Sequence, residues 1–263
     1  MKNKELIIIR GGGDIATGIA YRLFKAHYKI LMLEVEAPLA VRLTVSAAAA
    51  VFDGEIQIED MHVKRIKCLE DIDIMSNDVN VFIDPSGTCI KALHPNILID
   101  AIMAKRNTGT TSAMAPIVIG VGPGFRAPDD VNAVIETKRG HYLGRAIYNG
   151  EAIPNTGIPG IVNGYGVERV LRAPSNGFLE PLHRIGDHVV ANEIIAFIDD
   201  NPVVAPFDGI IRGLIHHSVP VKKGLKIGDV DPRQEAAYCH TLSDKVLAVG
   251  GGVLEAVSWL QYN

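Results

Sequence analysis

The chain has 263 residues, of which 48% are hydrophobic and 21% are charged, and its formal net charge is -4 at pH 7. This length and composition are typical of a globular protein with one large domain or two modest ones. A slightly acidic chain has no general attraction for nucleic acid or for an anionic membrane, so neither is predicted as a partner.

The three cysteines, Cys68, Cys89 and Cys239, are widely spaced and form no CxxC pair. Their odd number argues against a disulfide framework. The first residues lack the pattern of a signal peptide, and no run reaches the roughly 20 apolar residues of a membrane helix. We therefore expect a cytoplasmic protein with reduced thiols.

The first part of the chain predicts an α/β fold with a Rossmann-like parallel sheet. Continuous apolar runs predict strands that are buried on both faces, at 5–10, 29–35, 79–84 and 116–122. Apolar residues at helical spacing between the first two runs predict a βαβ unit. The segment 98–106 predicts a further helix.

The later part of the chain predicts a second, smaller all-β domain. Segments that begin at Gly177 and Gly209 share a strand–turn–strand pattern with an offset of 32 residues. Two interlocking halves of a flattened barrel would give such a repeat. The tail predicts helices at both of its ends with a break at glycines 250–252, and we expect it to pack back on the first domain. The predicted boundaries are 1–170, 171–233 and 234–263.

The stretch "IIIRGGGDIATG" leads from the first strand into a helix through three consecutive glycines. Its Gly11-x-Gly13-x-x-Ala16 spacing matches the dinucleotide fingerprint, in which glycines let the backbone approach a pyrophosphate at a helix amino terminus. We predict that a nucleotide-like ligand contacts the loop residues Gly11, Gly12, Gly13, Asp14 and Ile15. An acid about 20 residues later, Glu34 or Glu36, would bind the ribose.

Asp14 conflicts with this interpretation because its carboxylate would repel a bound phosphate. A Mg²⁺ ion or a nearby arginine such as Arg10 would have to mediate the contact. The alternative is that Asp14 caps the helix, which is worth roughly 1 kcal/mol, and that the glycines only form a tight turn. Both alternatives stay open at the level of sequence.

Three other loops would reach the same carboxyl edge of the sheet, where open α/β sheets bind their ligands. These loops contribute Asp84, Ser86, Lys105, Gly120, Gly122 and Gly124. Ordinary turns use the same residue types, so three unrelated turns are the alternative.

The stretch 134–145 carries the one candidate pair for proton transfer, Glu136 and His141. A solvated sheet edge is the alternative explanation of its charges. No His or Cys spacing suits zinc, so no metal site with protein ligands is predicted. We interpret the charged residues within Lys226–Arg233 as an internal salt-bridge turn in preference to a site.

Two stretches of the later domain carry a resemblance to a known scaffold. "IGDHVVANEIIAFI" is similar to the hairpin of the biotinyl/lipoyl-type barrel-sandwich hybrid, and "VVAPFDGIIRGL" is similar to its crossover. The tip at 199–202 reads Asp-Asp-Asn-Pro, where that family carries its modified lysine. The resemblance therefore implies the scaffold alone, and no biotin or lipoyl attachment is expected.

Seven blocks spread over the chain carry a second resemblance: "GGGDIATG", "AKRNTGT", "GPGF", "IETKRGHYLGR", "NTGIPG", "KIGDVDPR" and "SDK". Together they resemble the YqeB family of accessory proteins of selenium-dependent molybdenum hydroxylases. The first block is also similar to the nucleotide-binding half of XdhC-like accessory proteins of xanthine dehydrogenase.

This resemblance implies a role in maturation of a molybdenum hydroxylase client or in insertion of its cofactor. The implied ligand of the glycine loop is a nucleotide or molybdopterin dinucleotide, and Cys89 is a candidate reactive thiol. The exact ligand, any bond that is made or broken, and a homo-oligomeric state are left open. The alternatives are an NAD(P)-dependent oxidoreductase that uses His141 and Glu136, and a non-catalytic scaffold for a client enzyme.

Overall fold

The computed structural model describes residues 5–73, 75–157 and 160–263, and it divides the chain into two compact units. The first unit comprises the described residues up to Glu36 together with Ala47–Thr156 and Leu242–Asn263. The second unit comprises Ala37–Ser46 and the described residues of Gly157–Thr241. Residues 160–170, which the sequence assigns to the first domain, thus lie in the second unit.

Eighteen strands and five α-helices, numbered in chain order, make up the two units in the described part of the chain. The strands of the first unit are β1 Leu6–Arg10, β2 Lys29–Glu34, β3 Glu55–Ile58, β4 Met61–Arg65, β5 Val79–Ile83, β6 Ile97–Asp100, β7 Ile117–Val121, β8 Arg126–Ala127, β9 Ala133–Ile135, β10 Ala146–Ile147 and β11 Gly150–Glu151. Its helices are α1 Asp14–Lys25, α2 Ala50–Asp53, α3 Thr88–Leu93 and α5 Asp244–Tyr262.

The first unit is built on a nine-stranded sheet with the strand order β10-β9-β7-β6-β1-β2-β5-β4-β3. All neighbouring strands from β9 to β4 run parallel, and the two outermost strands, β10 and β3, are antiparallel to their neighbours. From β1 the chain first builds the sheet through β2 and then crosses back to β6 on the other side. The strand order therefore reverses between β1 and β6, where open α/β sheets form a crevice at their carboxyl edge.

The four predicted parallel strands are confirmed as β1, β2, β5 and β7. Ile7, Ile8 and Ile9 of β1 are all fully buried, as expected for a central strand that is covered on both faces. The coarse expectation of an α/β sheet with additional small β-sheets is likewise confirmed.

The predicted helix at 98–106 is wrong. Leu98 and Ile99 belong to β6, where they are fully buried and pair with β1 on one side and β7 on the other. The segment is a strand because it pairs with a neighbouring strand on each side. The spacing of apolar residues along the sequence carries no information about such pairing. From Ala101 onward the segment is a loop, which leads to Thr110.

The predicted break in the tail is also wrong, because α5 runs without interruption through glycines 250–252. A Cβ atom at Gly250 would overlap the carbonyl oxygen of Gly18 in α1, and one at Gly252 would overlap that of Gly144. A Cβ at Gly251 would meet no atom. Two of these glycines therefore permit close backbone packing and do not end the helix.

The second unit contains two antiparallel sheets and one short helix. Its strands are β12 Val170–Arg172, β13 Leu179–Pro181, β14 His188–Val189, β15 Ile194–Ile198, β16 Asn201–Val204, β17 Gly209–Leu214 and β18 Lys226–Asp231, and its helix is α4 Ala237–His240. The sheets have the orders β12-β18-β17-β14 and β13-β15-β16. Val189 pairs with Gly209, and Gly177 pairs with Val221. The 32-residue offset of the sequence repeat exchanges these two pairs, so each half of the repeat pairs with the other.

We predict opposite effects for neighbouring glycines of α5. Gly250→Ala and Gly252→Ala are each expected to lower the free energy of unfolding by at least about 2 kcal/mol, because the new methyl group meets backbone that cannot move away as a side chain can. Gly251→Ala is expected to raise it by up to about 1 kcal/mol through helix propensity. Urea unfolding followed by circular dichroism measures all three. Equal effects at the three positions would contradict the packing described here.

Candidate functional site

The carboxyl edge of the sheet contains a buried polar cluster where the strand order reverses. Arg10 ends β1 and Asp100 ends β6, and the two residues are direct partners across the strands. Arg10 Nη1 donates to Asp100 Oδ2 at 3.1 Å and to Thr110 Oγ1 at 2.5 Å. The Thr110 hydroxyl donates in turn to Asp100 Oδ2 at 2.6 Å. Because all three side chains are nearly inaccessible to solvent, each depends on the others for hydrogen bonds.

Thr110 reaches this cluster from the stretch "AKRNTGT", which forms a loop organised by Asn107. The Asn107 Oδ1 accepts the amides of Gly109 and Thr110 at 2.9 and 2.8 Å, and its Nδ2 donates to the Thr110 carbonyl at 2.8 Å. The predicted ligand residue Lys105 lies earlier in this loop and is exposed. The loop therefore places the Thr110 hydroxyl in the buried cluster with Arg10 and Asp100.

Arg10 retains donors that this cluster does not use. Within the described part of the chain, the guanidinium of Arg10 makes its hydrogen bonds through Nη1. Its Nε lies 3.8 Å from the position of a Cβ at Gly87, in the turn that follows β5. The guanidinium thus offers further N–H groups between the glycine loop and this turn.

The glycine loop is held by backbone contacts and by Glu34 at the end of β2. Gly11 has a φ of 99°, and a Cβ there would lie 2.9 Å from the carbonyl oxygen of Ala101. The Gly12 amide donates to Glu34 Oε1 at 2.6 Å, and the Val35 amide donates to Glu34 Oε2 at 2.9 Å. Burial raises the pKa of Glu34, and the two amide hydrogen bonds oppose this rise.

Glu34 therefore has a role that the sequence does not predict, because its carboxylate holds the glycine loop in place. Its expected contact with a ribose stays a prediction, and Glu36, the other candidate, lies exposed beyond β2. Thr17 is a further residue missed by sequence reasoning. Its buried hydroxyl donates to the Gly13 carbonyl and accepts the Ala47 amide, both at 2.9 Å.

The amino end of α1 presents open backbone next to the carboxyl edge. Gly13 is the residue that precedes the helix, it has an extended backbone, and a Cβ there would meet no atom within 4 Å. Asp14 begins the helix, and its Oδ1 accepts the amide of Ile15 at 2.9 Å. The capping role considered for Asp14 is therefore wrong: Gly13 occupies the cap position without a side-chain cap hydrogen bond, and the Asp14 carboxylate binds the amide of the next residue inside the helix.

The turn after β5 is organised by Asp84. Its Oδ1 accepts the hydroxyls of Ser86 and Thr88 at 3.3 and 3.1 Å, and its Oδ2 accepts the Cys89 amide at 2.8 Å. Burial would raise the pKa of Asp84, but the hydrogen bonds from Cys89 and Thr88 outweigh it and lower the pKa. Asp84 and Ser86 thus belong to the turn that leads into α3.

Cys89 is buried in the first turn of α3, and burial together with a hydrogen bond to Asp84 raises its pKa to about 12. Because the thiolate is the reactive form of cysteine, a thiol with such a pKa stays protonated and unreactive near neutral pH. The surroundings of Cys89 are those of a structural cysteine.

The three glycines at the end of β7 are required by packing. A Cβ at Gly120 would overlap the ring of Phe125, and one at Gly124 would lie 2.6 Å from the Cα atom of Arg106. Gly122 has a φ of 80° and approaches the Thr137 hydroxyl. These glycines bring the loop after β7 against the loop that contains Arg106, along the same edge of the sheet.

The structure places Glu136 and His141 in different surroundings. Glu136 is 1% exposed, and its two carboxylate oxygens accept the amides of Lys138 and Ile153 at 2.7 and 2.8 Å. His141 is exposed, and its ring packs edge-on against Tyr142. Their use as a proton-transfer pair stays a prediction, for which this arrangement offers no support.

In the second unit, the two aspartates of "KIGDVDPR" are buried and form ion pairs with arginines. Arg233 donates to both carboxylate oxygens of Asp231, at 2.9 Å from Nε and 2.5 Å from Nη2. The Oδ1 atom of Asp229 lies 3.2 Å from Nη2 of Arg169. Burial, together with the charge of a neighbouring arginine, lowers the pKa of Arg212 to about 10, and its Nε lies 3.5 Å from Asp231. The predicted salt-bridge turn is therefore confirmed for Asp231 and Arg233.

Two searches of the described residues gave negative results. No helix there has the length and apolar character needed to cross a membrane. No group of three or more His, Cys, Asp or Glu side chains in the same part of the chain is arranged to hold a metal ion.

The fold and the site define an α/β protein with a mainly parallel sheet, a glycine loop at the reversal of its strand order and a second unit of small antiparallel sheets. The chain is 45% identical over 260 residues to YqeB of Escherichia coli K12, which is described as an uncharacterized protein. The alignment covers 98% of this chain and 48% of that protein, so the chain spans about half the length of this relative. The similarity supports the predicted resemblance to the YqeB family and carries no statement about activity.

Comparison with family models found no match. Among solved structures, an aspartoacylase family protein of Mesorhizobium loti matches 87% of this chain and 85% of its own, with 11% identity and a TM-score of 0.27. A succinylglutamate desuccinylase/aspartoacylase of Rhodobacter sphaeroides matches 24% of this chain and 21% of its own, with 24% identity and a TM-score of 0.21. Similarities at these TM-scores support no argument about fold or function.

Removal of the Thr110 hydroxyl tests the buried cluster. Thr110→Val is expected to lower the free energy of unfolding by about 1–3 kcal/mol, because Arg10 and Asp100 each lose a buried hydrogen-bond partner. Thr110→Ser keeps the hydroxyl and should retain most of the stability. The control Thr108→Val alters an exposed threonine of the same loop and should change stability by no more than about 0.5 kcal/mol. Urea unfolding that gave the same loss for both valine variants would contradict the cluster.

Thiol labelling tests the environment of Cys89. With iodoacetamide near neutral pH, Cys68 should be alkylated first because it is the exposed cysteine, while Cys89 and Cys239 are buried and should react only after unfolding in denaturant. Mass spectrometry of proteolytic peptides over a time course gives the order. Labelling of Cys89 in the folded protein at a rate equal to or above that of Cys68 would show a reactive thiol.

Proposed function

We propose that this chain binds a nucleotide-like ligand at the carboxyl edge of a Rossmann-like sheet and acts as an accessory protein of a molybdenum hydroxylase. The observation that carries the binding proposal is the position of the loop Gly11–Gly13. It opens helix α1 beside the point where the strand order reverses, which is the place where open α/β sheets bind ligands.

The chemistry of the edge supports an anionic ligand. The first turn of a helix presents backbone N–H groups and a partial positive charge, both of which favour phosphate. No atom would contact a Cβ at Gly13, so a phosphate can approach the backbone there. Arg10 adds guanidinium donors that its bonds to Asp100 and Thr110 leave unused.

The identity of the ligand and of the client is the further step of this proposal. The sequence resemblance to accessory proteins of selenium-dependent molybdenum hydroxylases favours a nucleotide or molybdopterin dinucleotide over a nicotinamide cofactor. The buried carboxylate of Glu136 accepts two backbone amides, which leaves the predicted acid–base pair without support. This favours a protein that binds a ligand over an oxidoreductase. In this proposal the second unit is an unmodified barrel-sandwich scaffold that docks the client enzyme.

The direct experiment is to identify what the protein holds when it is purified. Mass spectrometry and elemental measurement for molybdenum should find a pterin or nucleotide, and titration calorimetry with ADP, NAD⁺ and NADPH should rank the ligands. Any ligand that binds the native state must also raise the melting temperature. Tight binding of NADPH with turnover would replace this proposal by an oxidoreductase, and absence of any stabilising ligand would favour a scaffold.

Gly13→Ala is the variant that tests the position of the site. The residue has a φ of -65° and open space around it, so alanine fits the fold, but its methyl group projects where the ligand phosphate is expected. Calorimetry should show a loss of affinity of about tenfold or more, with a melting temperature of the free protein close to that of the wild type. Gly251→Ala, in open space on α5, is the matched control and should bind normally. Unchanged affinity of Gly13→Ala would place the ligand elsewhere.

A further inference from the structure

Arg212, in the second unit, is the extra residue of a β-bulge in β17. Ile211 pairs with Val230 of β18. The next paired residue of β17 is Gly213, which lies opposite Asp229, so Arg212 has no partner of its own in the described ladder. Bulges of this kind redirect a side chain, and they are common beside functional sites. The Arg212 side chain is 12% exposed, so its guanidinium is largely withdrawn from water.

Among the described residues, two acceptor groups lie within 3.5 Å of Arg212, and other arginines bind both of them. Its Nε lies 3.5 Å from Asp231 Oδ2 and 3.5 Å from the Tyr238 carbonyl oxygen. The two carboxylate oxygens of Asp231 accept hydrogen bonds from Arg233, at 2.9 Å from Nε and 2.5 Å from Nη2. The Tyr238 carbonyl accepts one from Arg42 Nη2 at 2.8 Å. Each acceptor is therefore nearer to another guanidinium than to that of Arg212.

The terminal nitrogens of Arg212 remain available to an anion from outside the fold. Its Nη1 and Nη2 make no hydrogen bond or ion pair within the described residues, and neither is one of the fully buried polar atoms there. Burial, followed by the charge of Arg42, lowers the pKa of Arg212 to about 10, so the side chain stays charged near neutral pH. A cation that is largely removed from water is unfavourable until an anion pairs with it and accepts its hydrogen bonds.

We propose that Arg212 anchors an oxyanion-binding site in the second unit, which accepts a phosphate group or a similar tetrahedral anion. A guanidinium binds such a group through two parallel N–H···O hydrogen bonds. Arg42 and Arg233 bind the same two acceptors that Arg212 approaches, so they add positive charge around it. This charge favours a doubly charged phosphate over a carboxylate. The Arg233 side chain is 32% exposed, so the cluster of arginines reaches the surface.

This site is separate from the glycine loop and does not depend on the function proposed above. All of its residues belong to the second unit, which includes Ala37–Ser46. That segment lies against β17, because the Leu214 amide donates to the Val41 carbonyl at 2.7 Å. The contact brings Arg42 beside Arg212 although the two arginines are far apart in the sequence.

The test is calorimetric titration of the full chain with inorganic phosphate, sulfate and acetate, at an ionic strength held constant with sodium chloride. Phosphate should bind saturably, more tightly than acetate, and should raise the melting temperature. Arg212→Met should weaken phosphate binding by about tenfold or more, while the melting temperature in chloride stays the same or rises. Arg212→Lys keeps the charge but loses the paired N–H groups, so its affinity should be intermediate. Arg184→Met, which removes an exposed arginine of the same unit, is the matched control and should bind normally.

Because phosphate is also the expected ligand group of the glycine loop, the titrations are repeated with Gly13→Ala added to each chain. Three outcomes would overturn the inference. The first is that Arg212→Met binds phosphate as tightly as the chain with arginine in this background. The second is a fall in the melting temperature of Arg212→Met in chloride, which shows a structural arginine. The third is phosphate binding no tighter than that of acetate or chloride. Phosphate binding that depends on Arg212, in a chain that binds no nucleotide, would overturn the proposed function and leave this site intact.

Discussion

The buried ion pair between Arg10 and Asp100 is the contact on which the carboxyl edge of this sheet depends. The two residues end neighbouring strands whose following loops lead away in opposite directions, because the strand order reverses there. A buried charge costs several kcal/mol unless it is paired and hydrogen-bonded. Asp100 pairs with the guanidinium, and Thr110 bonds to both groups from a loop 100 residues beyond Arg10. The pair therefore fixes three chain segments at the mouth of the crevice.

The same arrangement holds the glycine loop in place. The chain leaves Arg10 directly into Gly11, whose left-handed backbone lies against the carbonyl of Ala101, the residue after Asp100. Glu34 then holds the Gly12 amide from the next strand. With Gly11 and Gly12 fixed by backbone and carboxylate, Gly13 and the first turn of α1 remain as the exposed part of the loop. A loop that is organised before its ligand arrives loses little conformational entropy on binding.

Local sequence patterns predict the parts of this unit that are determined by residues close together in the sequence. The apolar runs of β1, β2, β5 and β7 and the glycine spacing before α1 are recognisable because buried parallel strands and tight turns restrict neighbouring residues. The apolar spacing of 98–106 predicts a helix, and this pattern gives no indication that Asp100 ends a strand beside Arg10. Thr110 carries no local signal, since its importance comes from Arg10, which lies 100 residues away in the chain. The glycines of α5 predict a break for the same reason, because the atoms that require them belong to Gly18 and Gly144.

Residues that break a local rule in this chain cluster at one edge of the sheet. Asp14 places a negative charge where phosphate is expected, and Gly11 adopts a backbone conformation that other residues rarely tolerate. Each is unfavourable when it is considered alone, and locally unfavourable choices in native proteins are expected at functional sites. Helices α1 and α5 pack closely against each other next to this edge, which the missing side chains of Gly18 and Gly250 permit. The position of α1, which carries the glycine loop at its amino end, therefore depends on the packing of the last helix, so a change at Gly250 should disturb both.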